Sequence, residues 1–215
     1  MTPVGRPREF DPDVALDHAL LLFWRDGYEG ASVNRIADAM GVSKPSLYAA
    51  FGDKEALYLR ALERYGERQR LRFATVLEAA PDARTAVETL LRATLDAHLD
   101  PETPSGCMVV AGTTICDSPV VPPSIKQALC EALRSGATAI EARLARAQRE
   151  RQLAASVDVA ALAAYFNTVL AGLSVQSKGQ QCGEVLRAVI ASSMQAWPVA
   201  ATATATPRGG SRRSS

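Results

Sequence analysis

Apolar side chains recur at three- and four-residue steps along nearly the whole chain, the period of α-helices that bury one face. Asp11-Pro12 opens the first: Asp11 can cap, and Pro12 sits in the first turn, where its missing N–H costs nothing. Ala15, Ala19, Leu22 and Phe23 form its buried stripe, and Gly27 ends it. Ser32 caps a second helix with Val33, Ile36, Ala37 and Met40 inward. Gly41-Val42 breaks it, and Ser43 caps a third, with Pro45 in its first turn and Leu47 and Phe51 inward. Gly52-Asp53 breaks again, and Asp53 caps a long fourth helix to about Ala80. Pro81, Pro101, Pro104, Pro119, Pro122, Pro123 and Pro198 divide the rest into helices at 82–100, 106–117, 123–151, 156–178 and 182–197. Val109–Ile115 is rich in β-branched residues but has no second strand to pair with, so it too is read as helix. The expected fold is all-α. The repetitive, basic stretch from Val199 onward is expected to be disordered.

Composition narrows the class. With 215 residues, 47% of them hydrophobic, the chain can bury a core without staples and makes one large domain or two small ones. A net charge of +1 excludes a polycationic coat protein, though not a local basic patch. The four cysteines, Cys107, Cys116, Cys130 and Cys182, form no C-x-x-C pair, which argues against a zinc site or disulfide framework and fits a reducing cytoplasm. Two histidines, His18 and His98, do not make a His-rich metal centre, and no metal or other cofactor is expected. No run reaches about 18 consecutive apolar residues, the length needed to span a bilayer. Glu9, Asp11 and Asp13 stand where a signal peptide needs apolar residues. The chain is read as cytoplasmic, with no membrane partner.

The strongest motif runs from Val33 to Phe51. A helix-turn-helix needs a small residue where its helices touch, a glycine in the turn, and an aliphatic residue on the second helix facing the first. Ala37, Gly41 and Leu47 supply these. Any helical hairpin can show that spacing, but here Ser43, Lys44, Ser46 and Tyr48 also occupy the exposed start of the third helix, as entry into a major groove requires. Lys54 opens the fourth helix, where the amides and the dipole favour an anion.

The run from Gly5 to about Leu62, and above all GVSKPSLYAAFGDKEAL, resembles the DNA-binding domain of the tetracycline-repressor (TetR) family. The resemblance implies a ligand-controlled, homodimeric transcription factor, mostly repressing, with three N-terminal helices for a double-stranded DNA operator. A larger helical domain would serve a small-molecule effector and dimerisation. It implies DNA contacts from Ser32, Arg35, Ser43, Lys44, Pro45, Ser46 and Tyr48, with Lys54 on the backbone and Arg6 and Arg8 in a minor-groove arm. Where many members carry histidine before the final Phe, this sequence has Ala49-Ala50. The expected organisation is an arm (1–10), a DNA-binding domain (11–53), a ligand-binding and dimerisation domain (54–198) and the tail (199–215).

Residues 1–60 hold seven basic and nine acidic side chains, a net of −2, with many of the acids on or near the first helix. Specific binding with weak non-specific affinity is expected, since the latter is almost wholly electrostatic. Arg60, Arg64, Arg68 and Arg72 form an i,i+4 stripe, read as a solvated face interleaved with Glu63 and Glu67 rather than a second DNA site.

From Thr103 to Ile125 the only charge is Asp117, which suits either the wall of an apolar cavity or an ordinary buried helix. The resemblance favours the cavity, with Phe73, Leu95, His98, Met108, Thr113 and Phe166 as candidate effector contacts and Thr114 as a further polar group. Cys107 opens this helix. A helix N-terminus favours thiolate, so it is a candidate oxidant or electrophile sensor, against the alternative of an inert small hydrophobe. Cys116, Cys130 and Cys182 are read as packing residues. Val159–Ser177 is uncharged and apolar on all faces, so it cannot border water. With the last helix it is expected to build a two-fold four-helix interface through Ala164, Leu170, Ala171, Val189 and Ile190. The chain has no Gly-rich phosphate loop, nucleophile motif or apolar carboxylate pair, so an enzyme is not expected.

Overall fold

A computed structural model of the protein describes residues 10–198. Arg6, Arg8 and the tail from 199 lie outside the described residues. The described chain is all-α: α1 (Pro12–Gly30), α2 (Val33–Met40), α3 (Lys44–Phe51), α4 (Lys54–Ala79), α5 (Ala83–His98), α6 (Met108–Thr113), α7 (Pro123–Arg149), α8 (Val159–Lys178) and α9 (Gly183–Ser193), closed by a 3-10 turn at Met194–Ala196.

The first four helices start where the polar caps stand. Asp11, Ser32, Ser43 and Asp53 each accept a backbone N–H from the first turn of the helix they precede. The backbone of α1 leaves helical geometry at Gly27, where the sequence expected the helix to end. Between α2 and α3, Gly41 takes a left-handed conformation (φ 65°, ψ 31°), and the amides of Gly41 and Val42 donate back to Asp38 and Ala37. A β-carbon there would be strained, so the tight turn depends on glycine.

The helix expected at 106–117 is the largest departure. Only Met108–Thr113 is helical. The hydroxyls of Thr113 and Thr114 donate to the carbonyls of Val110 and Ala111, and the chain tightens into turns as Ile115 and Cys116 donate to Gly112 and Thr113.

Two hydrophobic cores form, and the first does not stop at residue 53. The first joins α1–α3 and the start of α4 to Met108 and Val109 of α6 and to Val121, Ile125 and Leu129 at the head of α7. The second gathers Leu77, most of α5, the later half of α7, and α8 and α9. Thus α4 runs through both, and α6 packs on the N-terminal three-helix head as well as on α7 and α8. By length and composition α8 is apolar enough to cross a membrane, yet Ala163, Phe166, Leu170 and Leu173 are built into the second core.

Candidate nucleic-acid interface and internal cavity

Helix α3 presents its first turn outward because Leu47 and Phe51 anchor the opposite side, 1% and 4% exposed. Lys44, Pro45 and Tyr48 are exposed, as are Ser43 before them and Ala49 after them. Ser43 has two tasks. Its hydroxyl accepts the Ser46 amide at 3.3 Å and lies 2.8 Å from the Ser46 hydroxyl, so capping and the outward polar face share one group. Ser32 likewise caps α2 through the Arg35 amide. The Arg35 guanidinium donates to Asp26 at 2.6 Å and to the Gly30 carbonyl at 3.2 Å, which holds it beside the start of α2. Lys54 sits 4.5 Å above the Tyr28 ring, and partial burial lowers its pKa. Eight of the ten sequence-expected DNA contacts are therefore described; seven lie at the starts of α2, α3 and α4, and Tyr48 one turn further into α3.

The arginine stripe is not a plain solvated face. Arg60 donates to the Ala50 carbonyl at the end of α3 and stacks 4.6 Å from the Phe51 ring. Arg64 reaches across to α1, donating to Asp17 at 2.6 Å and Asp13 at 2.9 Å, and Arg68 donates to Asp17 at 2.6 Å. Burial pushes the Asp17 carboxyl up, but the Arg64 hydrogen bond and the charges of Arg68 and Arg64 outweigh it, and its pKa lies below the usual value. Two of the acids that made the head net negative are thus spent fixing α1 to α4. Arg72 turns inward instead, with a buried Nε.

A half-open cavity of about 90 Å³ lies among α4, α5, α6, α7 and α8. Of the six expected contacts, Phe73 and His98 line it. Met108 packs into the head core, Thr113 bonds its own helix, and Leu95 and Phe166 are fully buried in the second core. The residues the sequence reading missed come mainly from α4 and α7: Tyr65, Gln69, Leu133, Gly136 and Ala139, with Thr94 and Asn167. Gly136 leaves space that a β-carbon would take from the Asn167 amide oxygen, 2.6 Å away. The i,i+4 spacing of Tyr65, Gln69 and Phe73 was a readable signal, but one helix face alone does not say what it faces.

Cys107 lines the cavity, and its position is imposed by Gly106. That glycine has φ 79°, and a β-carbon on it would stand 2.8 Å from the Ser174 carbonyl. The close approach lets the Cys107 amide donate to the Ser174 hydroxyl at 2.8 Å. Burial, and then the neighbouring Cys107, raises the Tyr65 phenol well above its ordinary pKa, while Gln69 donates to its oxygen at 3.0 Å. Desolvation, and then the Arg72 charge, pushes His98 down to about 4, so its ring is neutral near pH 7. Cys116 is half-buried, whereas Cys130 and Cys182 are exposed rather than packed.

The residues expected at a subunit interface divide. Ala164 and Val189 are exposed on the outer face of α8 and α9. Leu170 and Ile190 point into the subunit's own core, and Leu170 and Ala171 line the cavity. The reason is the 100° step per residue: of a helix apolar all round, only one side can meet another molecule. That outer side carries Tyr165, Val175, Val185 and Val189, each at least 40% exposed.

An outward-facing helix-turn-helix joined to a helical domain with its own cavity defines a DNA-binding regulator. Residues 15–61 match the description "Bacterial regulatory proteins, tetR family", and residues 83–197 match "Tetracyclin repressor-like, C-terminal domain". The chain is 29% identical over 201 residues to the HTH-type transcriptional repressor ComR of Escherichia coli (strain K12), covering 90% of this chain and 92% of that one. It is 28% identical over 192 residues to the transcriptional repressor BdcR of the same organism, covering 89% and 91%. Among solved structures, a cysteine mutant of the TetR family regulator CifR complexed with 26bp double-strand operator DNA superposes with TM-score 0.83 at 39% identity, covering 90% of this chain and all of that one. The chain belongs to the TetR family of transcriptional regulators.

Proposed function

We propose that the protein is a homodimeric repressor that binds a near-palindromic double-stranded operator and is released when a small, largely apolar effector fills the cavity. The observation that carries this is α6. It begins at Cys107 on the cavity wall, and its Met108, Val109 and Gly112 pack against the head. A β-carbon at Gly112 would stand 2.5 Å from a Leu129 methyl and 3.1 Å from the Tyr58 hydroxyl, so there is no slack to absorb movement. Glu29 and Glu55 of the head also accept from the Ser118 and Ser124 hydroxyls beyond α6. An effector that displaces α6 therefore moves α1, and with α4 it changes the spacing of the two reading heads. A ligand changes DNA affinity only by binding one spacing better than the other.

Three features support DNA contact by Ser32, Arg35, Ser43, Lys44, Pro45, Ser46, Tyr48 and Lys54: the exposure of all but the half-buried Ser46 and Lys54, the position of all but Tyr48 at a helix start, and the operator complex formed by CifR. The outer face of α8 and α9 supports pairing with a second copy, since contiguous exposed apolar surface marks an association site. Selection of bound sequences from a random double-stranded pool tests the reading. A near-palindrome is expected, and a pool without preference at several salt concentrations refutes it.

A second reading has its own observation: the Cys107 thiol opens onto the cavity beside Tyr65. Loss of response in Cys107→Ser, with an electrophile or oxidant as effector, would replace reversible ligand control by thiol sensing.

A further inference from the structure

Six buried side-chain nitrogen and oxygen atoms lack a hydrogen-bond partner among the described residues, and four belong to one place: Arg72 Nε, Thr94 Oγ1 and both ring nitrogens of His98. Folded proteins pair the large majority of such atoms, so a cluster of orphans calls for a missing partner. Thr94 and His98 are each 3% exposed, stand one turn apart on α5 and line the cavity. Arg72 stands on α4 next to the cavity-lining Phe73, with its Nε buried, and its charge lowers the His98 pKa.

The charge of this wall is one-sided, since Gln69, Ser135 and Asn167 in the lining are neutral. An arginine stays charged and offers only donors, a threonine hydroxyl can donate, and a neutral histidine donates from one nitrogen. No aspartate or glutamate lines the cavity. Its titratable or charged side chains are Tyr65, Arg70, His98 and Cys107, with Arg72 beside them. An amine would meet a buried cation with nothing to offset it. A neutral amide would satisfy donors but leave the guanidinium uncompensated. A carboxylate does both, accepting from several donors and balancing the charge. Phe73, Val110, Leu133, Ala139 and Leu170 supply an apolar lining opposite. The space, about 90 Å³, is small and suits a short chain rather than a large molecule.

We propose that the cavity takes a small monocarboxylate, its carboxylate accepting from Arg72, Thr94 and His98 and its short apolar chain lying against Phe73, Leu133 and Ala139. This rests on the reading of the cavity as the effector site and names the class of molecule that fills it.

Titration calorimetry of the full chain with butyrate, butyramide and butylamine tests it, since the three share a chain and differ in head group. Butyrate should bind at least tenfold more tightly than butyramide, and butylamine should give no binding heat. Arg72→Gln and the near-isosteric Thr94→Val should each pull the butyrate-to-butyramide ratio toward one; melting curves identify a variant that fails to fold, and the other then decides. Butyramide binding as tightly as butyrate, binding of butylamine, or no binding by any probe overturns the proposal. Ala139→Phe separates this failure from failure of the cavity reading. If equal binding of butyrate and butyramide is abolished by Ala139→Phe, the cavity stands and the carboxylate class falls. Butyrate binding that survives Ala139→Phe unchanged places the ligand elsewhere and overturns both.

Discussion

Ser43→Asp separates the two tasks that one hydroxyl performs at the start of α3. Aspartate is as good an N-cap as serine, and it can accept the Ser46 amide and hydroxyl that Ser43 now serves. A negative charge at a helix N-terminus adds about 0.3–1 kcal/mol, so fold stability should stay level or rise slightly. With Ser43 on the operator as proposed, the same charge faces phosphates. Two unit charges about 4 Å apart repel by about 1 kcal/mol in a water-like medium and about 4 kcal/mol at a protein surface. Across two half-sites even the lower figure amounts to about 2 kcal/mol, or a ~30-fold loss of operator affinity. Ser43→Asn, a neutral residue of similar capping strength, is the control and should lose far less. Urea unfolding followed by circular dichroism reads the first effect, and fluorescence anisotropy on a selected operator reads the second. If Ser43→Asp binds like wild type with its helices intact, Ser43 does not face a phosphate, and the orientation assigned to α3 is wrong.

Other substitutions probe other parts. Gly66→Ala, whose β-carbon would meet only the flexible Arg70 guanidinium at 3.3 Å, should stabilise α4 by up to ~1 kcal/mol and raise Tm by about 2–4 °C; a lowered Tm would show that α4 needs glycine there. Because the Asp17 carboxyl is depressed in the folded protein, its contribution is present above the ordinary carboxylate pKa and lost as pH falls through the folded value. Asp17→Asn should therefore flatten the acid limb of the stability curve, and parallel curves for the two proteins would rule the clamp out. His98 is shifted from 6.5 to about 4, so stability should decline as pH falls from 6.5 toward 4 and the decline should shrink in His98→Gln, measured by denaturant midpoints. Val189→Glu should dissociate the dimer in sedimentation while leaving the subunit folded, whereas Ile190→Glu, at a position fully buried in the subunit core, should unfold it.

What could be read from the sequence follows how local each signal is. Caps and breaks act within four residues, so Asp11, Ser32, Ser43 and Asp53 placed the first four helix starts directly. Ala37, Gly41 and Leu47 placed the turn for the same reason. The cavity was harder, because it is made where α4, α5 and α7 converge and no single segment carries it. His98 and Phe73 were found from type and position, but Tyr65, Gln69 and Thr94 look like ordinary helix residues until their neighbours are known. Met108 and Leu170 were misplaced because a uniformly apolar stretch does not say which side turns inward. The arginine stripe misled similarly: its interleaved glutamates, three residues after Arg60 and Arg64, were visible, while the partners that matter, Asp13 and Asp17, sit about fifty residues away on α1.

The shared core of the head and α6 sets a rule for building hybrids. Relatives in this family look as if they could exchange reading heads at the α3–α4 junction, near residue 53. A graft cut there would carry Leu16, Phe23 and Leu47 but leave behind Tyr58, Met108, Ile125 and Leu129, which complete the same core. Such a hybrid would have two half-surfaces from different ancestors pressed together, and close-packed interiors do not forgive that mismatch. A workable transplant would have to take α6 and the first turns of α7 along with the head, two separate stretches of chain. The segment that reads DNA and the segment that rests on the cavity can therefore be inherited together far more readily than they can be mixed.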